Sequence, residues 1–329
     1  MTGILVTGGA GYIGSVIVDQ LLDRGHKVIV LDDLSTGHRQ AVARGAAFVQ
    51  GNVGNRELVG ALLERERIDA IVHLAAFALV AESVAQPQKY VTNNVTAARV
   101  LLEAAVRANV RRFVFSSSCA VYGHPPRIPI TEDAPQAPLN PYGETKRDFE
   151  RVLAELAASR GMSVVSLRYF NASGATDERG EDHDPETHLI PNVLAAAMGK
   201  RDALEVYGTD YPTADGTAIR DYVHVADIAD AHLRALDVRL DGGGPVAFNL
   251  GTGTGRSVRE VVEAARRVTG RPIPVVEKAR RPGDPPKLVA AVTRAQTTLG
   301  WHAAHSNLEE ILDSAWRWHQ AHPHGYRGG

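Results

Sequence analysis

A tyrosine and a lysine stand four residues apart in Tyr142-Gly143-Glu144-Thr145-Lys146, directly after Pro141. Proline favours the first helical position, and the i, i+4 spacing puts both side chains on one helical face. A free phenol ionises near pH ~10, too high for a base at neutral pH. A neighbouring ammonium, or the positive ring of an oxidised nicotinamide, would stabilise the tyrosinate. Such a group can exchange a proton with a substrate hydroxyl while a cofactor takes a hydride. The spacing alone is common on helices, so this reading depends on the elements around it.

The first of those elements is Thr7-Gly8-Gly9-Ala10-Gly11-Tyr12-Ile13-Gly14, which follows an apolar run and opens a helical segment. Gly9, Gly11 and Gly14 fit a dinucleotide fingerprint, and so do Gly8, Gly11 and Gly14 in an alternative spacing. Glycines there permit a tight turn and let backbone approach a pyrophosphate at the helix N-terminus. The next apolar run ends in Asp32 and Asp33, with Asp32 18 residues after Gly14. A carboxylate at that point can accept the ribose hydroxyls and would repel a 2′-phosphate, which favours NAD over NADP. The second element is Phe115-Ser116-Ser117-Ser118-Cys119, at the end of another apolar run. In an open α/β sheet that edge faces the ligand, and a serine hydroxyl there can orient a reacting oxygen. Ser116 and Ser117 are expected to satisfy backbone groups, and Cys119 to be packing.

Apolar runs at Ile4–Thr7, Lys27–Leu31, Ala46–Gln50, Ala70–His73, Arg112–Ser116 and Ser163–Arg168 alternate with helix candidates. The helices are expected at Gly11–Arg24, Arg56–Arg65, Gln88–Arg107 and Pro141–Ser159. Continuous apolar strands between helices imply a doubly wound parallel α/β sheet, Rossmann-like. After Arg168 the pattern changes. A polar loop, Asn171–His188, precedes a helix at Ile190–Gly199, a strand at Leu204–Tyr207 and a turn-rich stretch at Gly208–Gly216. A helix at Val225–Leu236 and a strand at Val246–Leu250 are expected to return to the main sheet. Helices at Val258–Val268 and Leu308–Gln320 flank a proline-rich connection at Pro282–Pro286. The expected division is a dinucleotide-binding domain over 1–170, with returning segments near 221–251. A smaller, discontinuous α+β lobe takes the rest of 171–329.

The 329 residues are 44% hydrophobic and 22% charged, with 36 basic against 38 acidic side chains. That balance gives no bias toward nucleic acid or anionic membrane. No run of about 18 apolar residues suggests a span, and the N-terminus does not read as a signal peptide. The single cysteine excludes an intramolecular disulfide, and a reducing, cytoplasmic compartment is expected. The 13 histidines are scattered. His322 and His324 read as part of a polar tail and Glu181-Asp182-His183-Asp184 as a solvated loop, so no metal site is expected.

The glycine motif, the serine edge and the Tyr-Lys pair together resemble the extended short-chain dehydrogenase/reductase family. Within it, the chain is similar to the branch that epimerises UDP-hexoses at C4. The similarity runs through His73-Leu74-Ala75-Ala76, Arg168-Tyr169-Phe170-Asn171, Tyr207-Gly208-Thr209-Asp210-Tyr211-Pro212-Thr213, Arg220-Asp221-Tyr222-Val223-His224-Val225 and Arg281-Pro282-Gly283-Asp284. The resemblance implies Ser118 as hydroxyl partner of the reacting oxygen, Tyr142 as acid/base and Lys146 as ribose-binding modulator. It implies that Gly8, Gly11, Tyr12, Ile13, Asp32, Asp33, Asn52, Val53, Ala75, Ala76, Asn93 and Tyr169 line NAD with Tyr142 and Lys146. It implies that Asn171, Leu189, Tyr207, Arg220, Arg281 and Asp284 hold the UDP-sugar with Ser118 and Tyr142. Two guanidinium groups suit a diphosphate, and a carboxylate suits the uridine ribose.

The implied activity is NAD-dependent interconversion of UDP-glucose and UDP-galactose through a 4-keto intermediate, by a homodimer built from the Gln88–Arg107 and Pro141–Ser159 helices. Alternatives are an epimerase of UDP-N-acetylhexosamines or UDP-uronic acids, and a non-catalytic NAD-binding regulator. Dehydratases of the family carry an acidic pair after the active-site Ser/Thr, where this chain has Cys119 and Ala120. Asn52 stands where many relatives have Asp, with a side-chain oxygen able to accept a hydrogen bond. Ala78 replaces a lysine near the cofactor, Ala81 a glycine, and His188 an asparagine found in some relatives. Leu288 takes a sugar-pocket position that is tyrosine in some of them.

Overall fold

The computed structural model describes residues 3–238, 246–281 and 283–328. Pro282, part of the expected proline-rich connection, lies outside them. The first half builds β1 (Gly3–Thr7), α1 (Tyr12–Asp23), β2 (Lys27–Asp32), β3 (Ala47–Gln50), α2 (Arg56–Glu66) and β4 (Ile68–His73). Then follow the short α3 (Val80–Ala85) and α4 (Pro87–Val91), a wide π-type stretch at Thr92–Ala97, α5 (Ala98–Arg107), β5 (Arg112–Ser118), α6 (Pro141–Arg160) and β6 (Ser163–Tyr169).

The expected single helix over Gln88–Arg107 is thus interrupted by a widened turn. The physical reason lies in Asn94, whose side chain is buried there. It accepts from the Phe77 N–H at 2.9 Å and donates to the Phe77 carbonyl at 2.9 Å and to Thr145 Oγ1 at 3.2 Å. Widened turns of this kind recur at functional sites.

The second half adds β7 (Asn171–Ser173), α7 (Leu189–Ala197), β8 (Leu204–Tyr207), β9 (Ile219–Arg220), β10 (Tyr222–His224), α8 (Val225–Asp237) and β11 (Val246–Leu250). It closes with β12 (Arg256–Ser257), α9 (Val258–Thr269), β13 (Val275–Lys278), β14 (Lys287–Leu288) and α10 (Leu308–Ala321). The expected loop from Asn171 therefore begins as strand β7, paired with β10. Such strands of two to four residues carry no periodicity of their own, and their partners define them.

The seven-stranded sheet has the order β11-β6-β5-β4-β1-β2-β3. Every pairing in it is parallel. The order reverses between β1 and β4, so ligand space opens at their carboxyl ends. Alternate residues of β1 feed opposite faces, as a pleated strand requires. Ile4 and Val6 join the core under α1 and α8, while Leu5 joins the core under α2, α5 and α6. A separate cluster holds Val193, Val206, Val262 and Ile311 of α7, β8, α9 and α10.

Helix α6 is laced to the sheet through charge. Glu150 receives Arg168 in a two-pronged contact, Nε to Oε1 at 2.9 Å and a terminal nitrogen to Oε2 at 2.5 Å. The side chains are only 9% and 7% exposed. Removing one partner of such a pair strands the other charge in the interior, at a cost of about 3–5 kcal/mol. Glu150→Leu is therefore expected to lower stability by about that amount in urea unfolding. Arg168→Met added to it should recover most of the loss; additive losses would show that the pair is not the cause.

Candidate active site at the sheet edge

Helix α1 starts at Gly11 with no side-chain cap, so its first amides face the crevice. Gly8 has φ +76, and a Cβ on it would lie 2.6 Å from the Ala75 nitrogen. A Cβ on Gly14 would lie 2.2 Å from the Gly8 carbonyl oxygen. These positions let the β1 turn, the β4 end and α1 converge as a phosphate-approaching turn needs. Asp32 is buried and accepts the Ala10 and Leu34 N–H groups at 2.9 Å each. Each of its oxygens keeps a lone pair for a ribose hydroxyl, while burial pushes the carboxyl above its ordinary value.

Asp33 is exposed. Partial burial raises its carboxyl, but hydrogen bonds from Ser35 and Asn52 outweigh that and leave it below the usual range. Asn52 donates to Asp33 at 2.9 Å, and its oxygen already accepts the Gly54 N–H at 2.8 Å. One lone pair of that oxygen is thus engaged within the loop, and the other stays open. Val53 is buried beside it. Ala75 donates its N–H to the Thr7 carbonyl at 3.1 Å, and Ala76 follows it at the half-buried end of β4. Tyr12 reaches across to donate to the Gly174 carbonyl at 2.5 Å. Ile13 packs against the core under α1. Asn93 sits in the widened turn and donates to Asn94 at 3.1 Å.

The reactive groups meet at the carboxyl end of β5. Asn140 caps α6 by accepting the Gly143 N–H at 2.9 Å, with Pro141 next. The Ser118 hydroxyl lies close enough to the Tyr142 phenol to act on it and accepts the Ala120 N–H at 3.1 Å. Lys146 is buried, donates to the Ser116 carbonyl at 2.8 Å and lies 5.7 Å from the Tyr142 ring centre. Tyr169 pairs in register with Ser118, and its hydroxyl donates to Ser116 Oγ. Ser116 and Ser117 therefore bond side chains rather than backbone, Ser117 donating to Glu150 at 2.5 Å. Cys119 is a packed thiol that burial pushes up to about 12.

Burial works against the tyrosinate that the sequence reading invokes at Tyr142. It pushes the phenol up to about 12, with Ser118 acting the other way. Lys146 does not offset this, because burial pulls its ammonium down to about 7. Two desolvated groups cannot by themselves create a tyrosinate, and a further positive charge is needed beside the ring.

The residues matched to the sugar nucleotide surround the same edge only in part. Arg220 lies close enough to act on the Cys119 thiol, with Asp221 opposing it. Its guanidinium is ion-paired with Asp284 and donates to the Ile219 carbonyl at 2.7 Å. The two guanidinium groups are thus not equally free. Arg281 is exposed and lies 4.1 Å over the Tyr207 ring. Asn171 donates its N–H to the Asp221 carbonyl at 2.9 Å. Leu189 opens α7. Leu288 pairs in register with Arg220 and packs in the cluster that holds Cys119 and Tyr122.

Several residues had no role in the sequence reading. Asp221 is fully buried and accepts four donors, from Thr252 N–H at 2.7 Å, Thr252 Oγ1 at 2.6 Å, Gly253 N–H at 3.1 Å and Ala290 N–H at 3.1 Å. It ties the loop after β11 to the segment after β14. The only sequence signal was its place in the Arg220–Val225 run. The loop around Glu181 was expected to be solvated, yet Glu181 is buried, with two histidines against its carboxylate. The distant His322 is no free tail either; its ring stacks on Trp318 at 4.7 Å.

Lys146 gives a measurable pH dependence. The unfolded chain holds its proton up to the ordinary lysine value of ~10.5, whereas the folded chain releases it near 7. Unfolding therefore takes up a proton in that window, and stability rises with pH. Cofactor-free protein is expected to gain stability from pH ~7 to ~9 in urea unfolding. Lys146→Met should flatten that slope, and an unchanged slope in the variant would refute the assignment.

A profile of the NAD dependent epimerase/dehydratase family matches residues 4–251. The chain is 49% identical over 325 residues to a UDP-glucose 4-epimerase of Lactobacillus helveticus, covering 98% of each chain. It is also 49% identical over 323 residues to one of Streptomyces lividans, with 98% and 97% covered. Among solved structures it is similar to UDP-glucose 4-epimerase from Brucella ovis in complex with NAD (TM-score 0.93, 47% identity, 99% of each chain). It is likewise similar to the Bifidobacterium longum enzyme in complex with NAD+ and UDP (TM-score 0.93, 37% identity, 98% and 100% covered). A cofactor turn, a serine-tyrosine-lysine edge and near full-length likeness agree, and the chain belongs to the NAD dependent epimerase/dehydratase family.

Proposed function

We infer that the chain binds NAD and interconverts UDP-glucose and UDP-galactose by inverting C4 through a 4-keto intermediate. The observation that carries this is the convergence of three groups at the β5 edge: Ser118 close enough to act on the Tyr142 phenol, and Lys146 buried beside them. In this reading residues 1–170 and the 221–251 return serve the cofactor, and the remainder of 171–329 serves the sugar nucleotide. The open Gly8 and Gly14 turn fits a pyrophosphate, and the Asp32-Asp33 pair fits an unphosphorylated ribose.

NAD supplies a hydride acceptor at C4 and the positive ring that the buried phenol lacks. Tyr142 as phenolate takes the proton of the 4-hydroxyl while the Ser118 hydroxyl orients that oxygen. Once the other face of the ketone is presented, Tyr142 would return the proton to O4, the hydride being the part that NAD would supply. Atoms and electrons balance over the cycle. Arg220 keeps donors beyond those given to Asp284 and the Ile219 carbonyl, and Arg281 offers a second cation to the diphosphate. Asp284 takes the uridine ribose. We assign the protein to the cytoplasm. We also assign it a homodimer through α3–α6, where Val80, Val84 and Val91 are 46%, 63% and 41% exposed.

A coupled assay with UDP-galactose tests the activity. Tyr142→Phe is expected to lower kcat by about 10²- to 10⁴-fold, the usual worth of a positioned acid/base. Near-normal turnover in that variant would sink the assignment. Because Leu288 lies opposite Arg220 without the bulk of a tyrosine, UDP-N-acetylgalactosamine is the second substrate to assay. Leu288→Tyr should depress turnover of that sugar more than of UDP-galactose; equal effects on both would remove Leu288 from the sugar pocket.

A further inference from the structure

The loop between β7 and α7 brings together four side chains that play no part in the hydride chemistry. Glu181, His183, Glu186 and His188 each offer one ligand atom, and these atoms all lie within 4.8 Å of one another. Glu181 Oε1 is 3.2 Å from His183 Nδ1 and 2.8 Å from His188 Nδ1. Glu186 Oε1 is 2.8 Å from His188 Nδ1, and its Oε2 is 3.8 Å from His183 Nδ1. Bonds of about 2.0–2.1 Å in a tetrahedral zinc site put neighbouring ligands roughly 3.3 Å apart. The Glu181 contacts and the Glu186 Oε1–His188 contact, at 2.8 to 3.2 Å, lie near that value.

Pairwise hydrogen bonding accounts for the arrangement poorly. His188 Nδ1 carries at most one hydrogen, yet two carboxylate oxygens lie 2.8 Å from it. Glu181 Oε1 faces both ring nitrogens and has a lone pair for each. Glu181 Oε1, the two ring nitrogens and one oxygen of Glu186 enclose a space that a single cation would share. With both imidazoles neutral, the two carboxylates carry the charge that a divalent ion balances. Imidazole nitrogen with carboxylate oxygen is a donor set of the zinc class.

The loop is anchored independently of these four groups. Gly180 donates its N–H to the Tyr326 hydroxyl at 3.1 Å, and Asp182 accepts the Tyr326 N–H at 2.9 Å. Asp182 also faces His38, away from the cluster. The Tyr12 ring meets His183 edge-on at 6.5 Å. His188 directly precedes α7. The ligands follow one another at intervals of two, three and two residues on a loop, which is why no helical metal spacing appears in the sequence.

We propose that Glu181, His183, Glu186 and His188 form a structural site for one divalent transition-metal ion of the zinc class. All four positions are filled by protein, as in closed structural sites. The ion pins the 181–188 loop between the cofactor turn at Tyr12 and the start of α7. The proposal stands on these residues alone and does not depend on the epimerase reading.

The test uses the full-length, tag-free protein stripped with a chelator and titrated with Zn²⁺ by calorimetry. A parallel titration with Co²⁺ follows the visible absorption of tetrahedral cobalt. One equivalent per chain, a raised melting temperature and a tetrahedral cobalt band are expected. His183→Ala and Glu186→Gln should each weaken Zn²⁺ binding at least 10-fold and lose the cobalt band, while the exposed-surface control His302→Ala should keep both. Absence of stoichiometric binding in the wild type overturns the proposal, whatever the variants do. Undiminished binding in either folded variant, as adventitious binding to surface histidines would give, overturns it too.

Discussion

The lacing of α6 to β5 is the constraint on which the site depends. Tyr142, Lys146 and Glu150 recur every four residues along one face of that helix, as a 3.6-residue repeat allows. Each reaches the same short strand end. Tyr142 meets Ser118, Lys146 donates to the Ser116 carbonyl, and Glu150 accepts from Ser117. The Glu150–Arg168 pair continues the line into β6. An ion pair buried this deeply contributes little net stability when intact but fixes geometry, because any register that separates the partners strands a charge. The phenol and the ammonium inherit their positions from that rule.

Position alone does not make a base. Burial acts on Tyr142 and Lys146 in opposite senses on their protonation constants, yet in both it disfavours the charged form. Desolvation at an apolar edge lined by Phe115 and Tyr169 is the cause. The positive nicotinamide ring then has a specific task beyond accepting a hydride. In the proposed reaction it would supply the charge that favours ionised tyrosine.

The smaller lobe relies on a different device. Short strands β9, β12 and β14 make a three-stranded patch, and the buried Asp221 gathers the loop after β11 and the segment after β14 onto it. A carboxylate with four donors is satisfied although burial raises its pKa. Arg220, one residue earlier, is thereby held near Cys119 while its charge is matched by Asp284. That pairing keeps a half-buried guanidinium from standing alone before an anion arrives.

Much of this was legible in the amino-acid order. The main-sheet strands are continuous apolar runs because both faces are covered, and a run of that kind announces itself. The glycine turn, the Asp32-Asp33 end and the Tyr142–Lys146 spacing are local patterns, and local patterns survive in one dimension. Other features arise from groups far apart in the chain. Strands such as β9 and β14 are too short for periodicity, and the widened turn at Thr92–Ala97 is defined by Asn94 bonding Phe77 and Thr145. The burial of Glu181 and the convergence of His183 and His188 on it needed a folded loop. So did the direction of the Tyr142 shift, since desolvation is set by everything packed around a group and not by the residue four places away. The sequence by itself determined which chemistry the chain carries; tertiary structure decided which charges are buried, which are paired, and which await a partner.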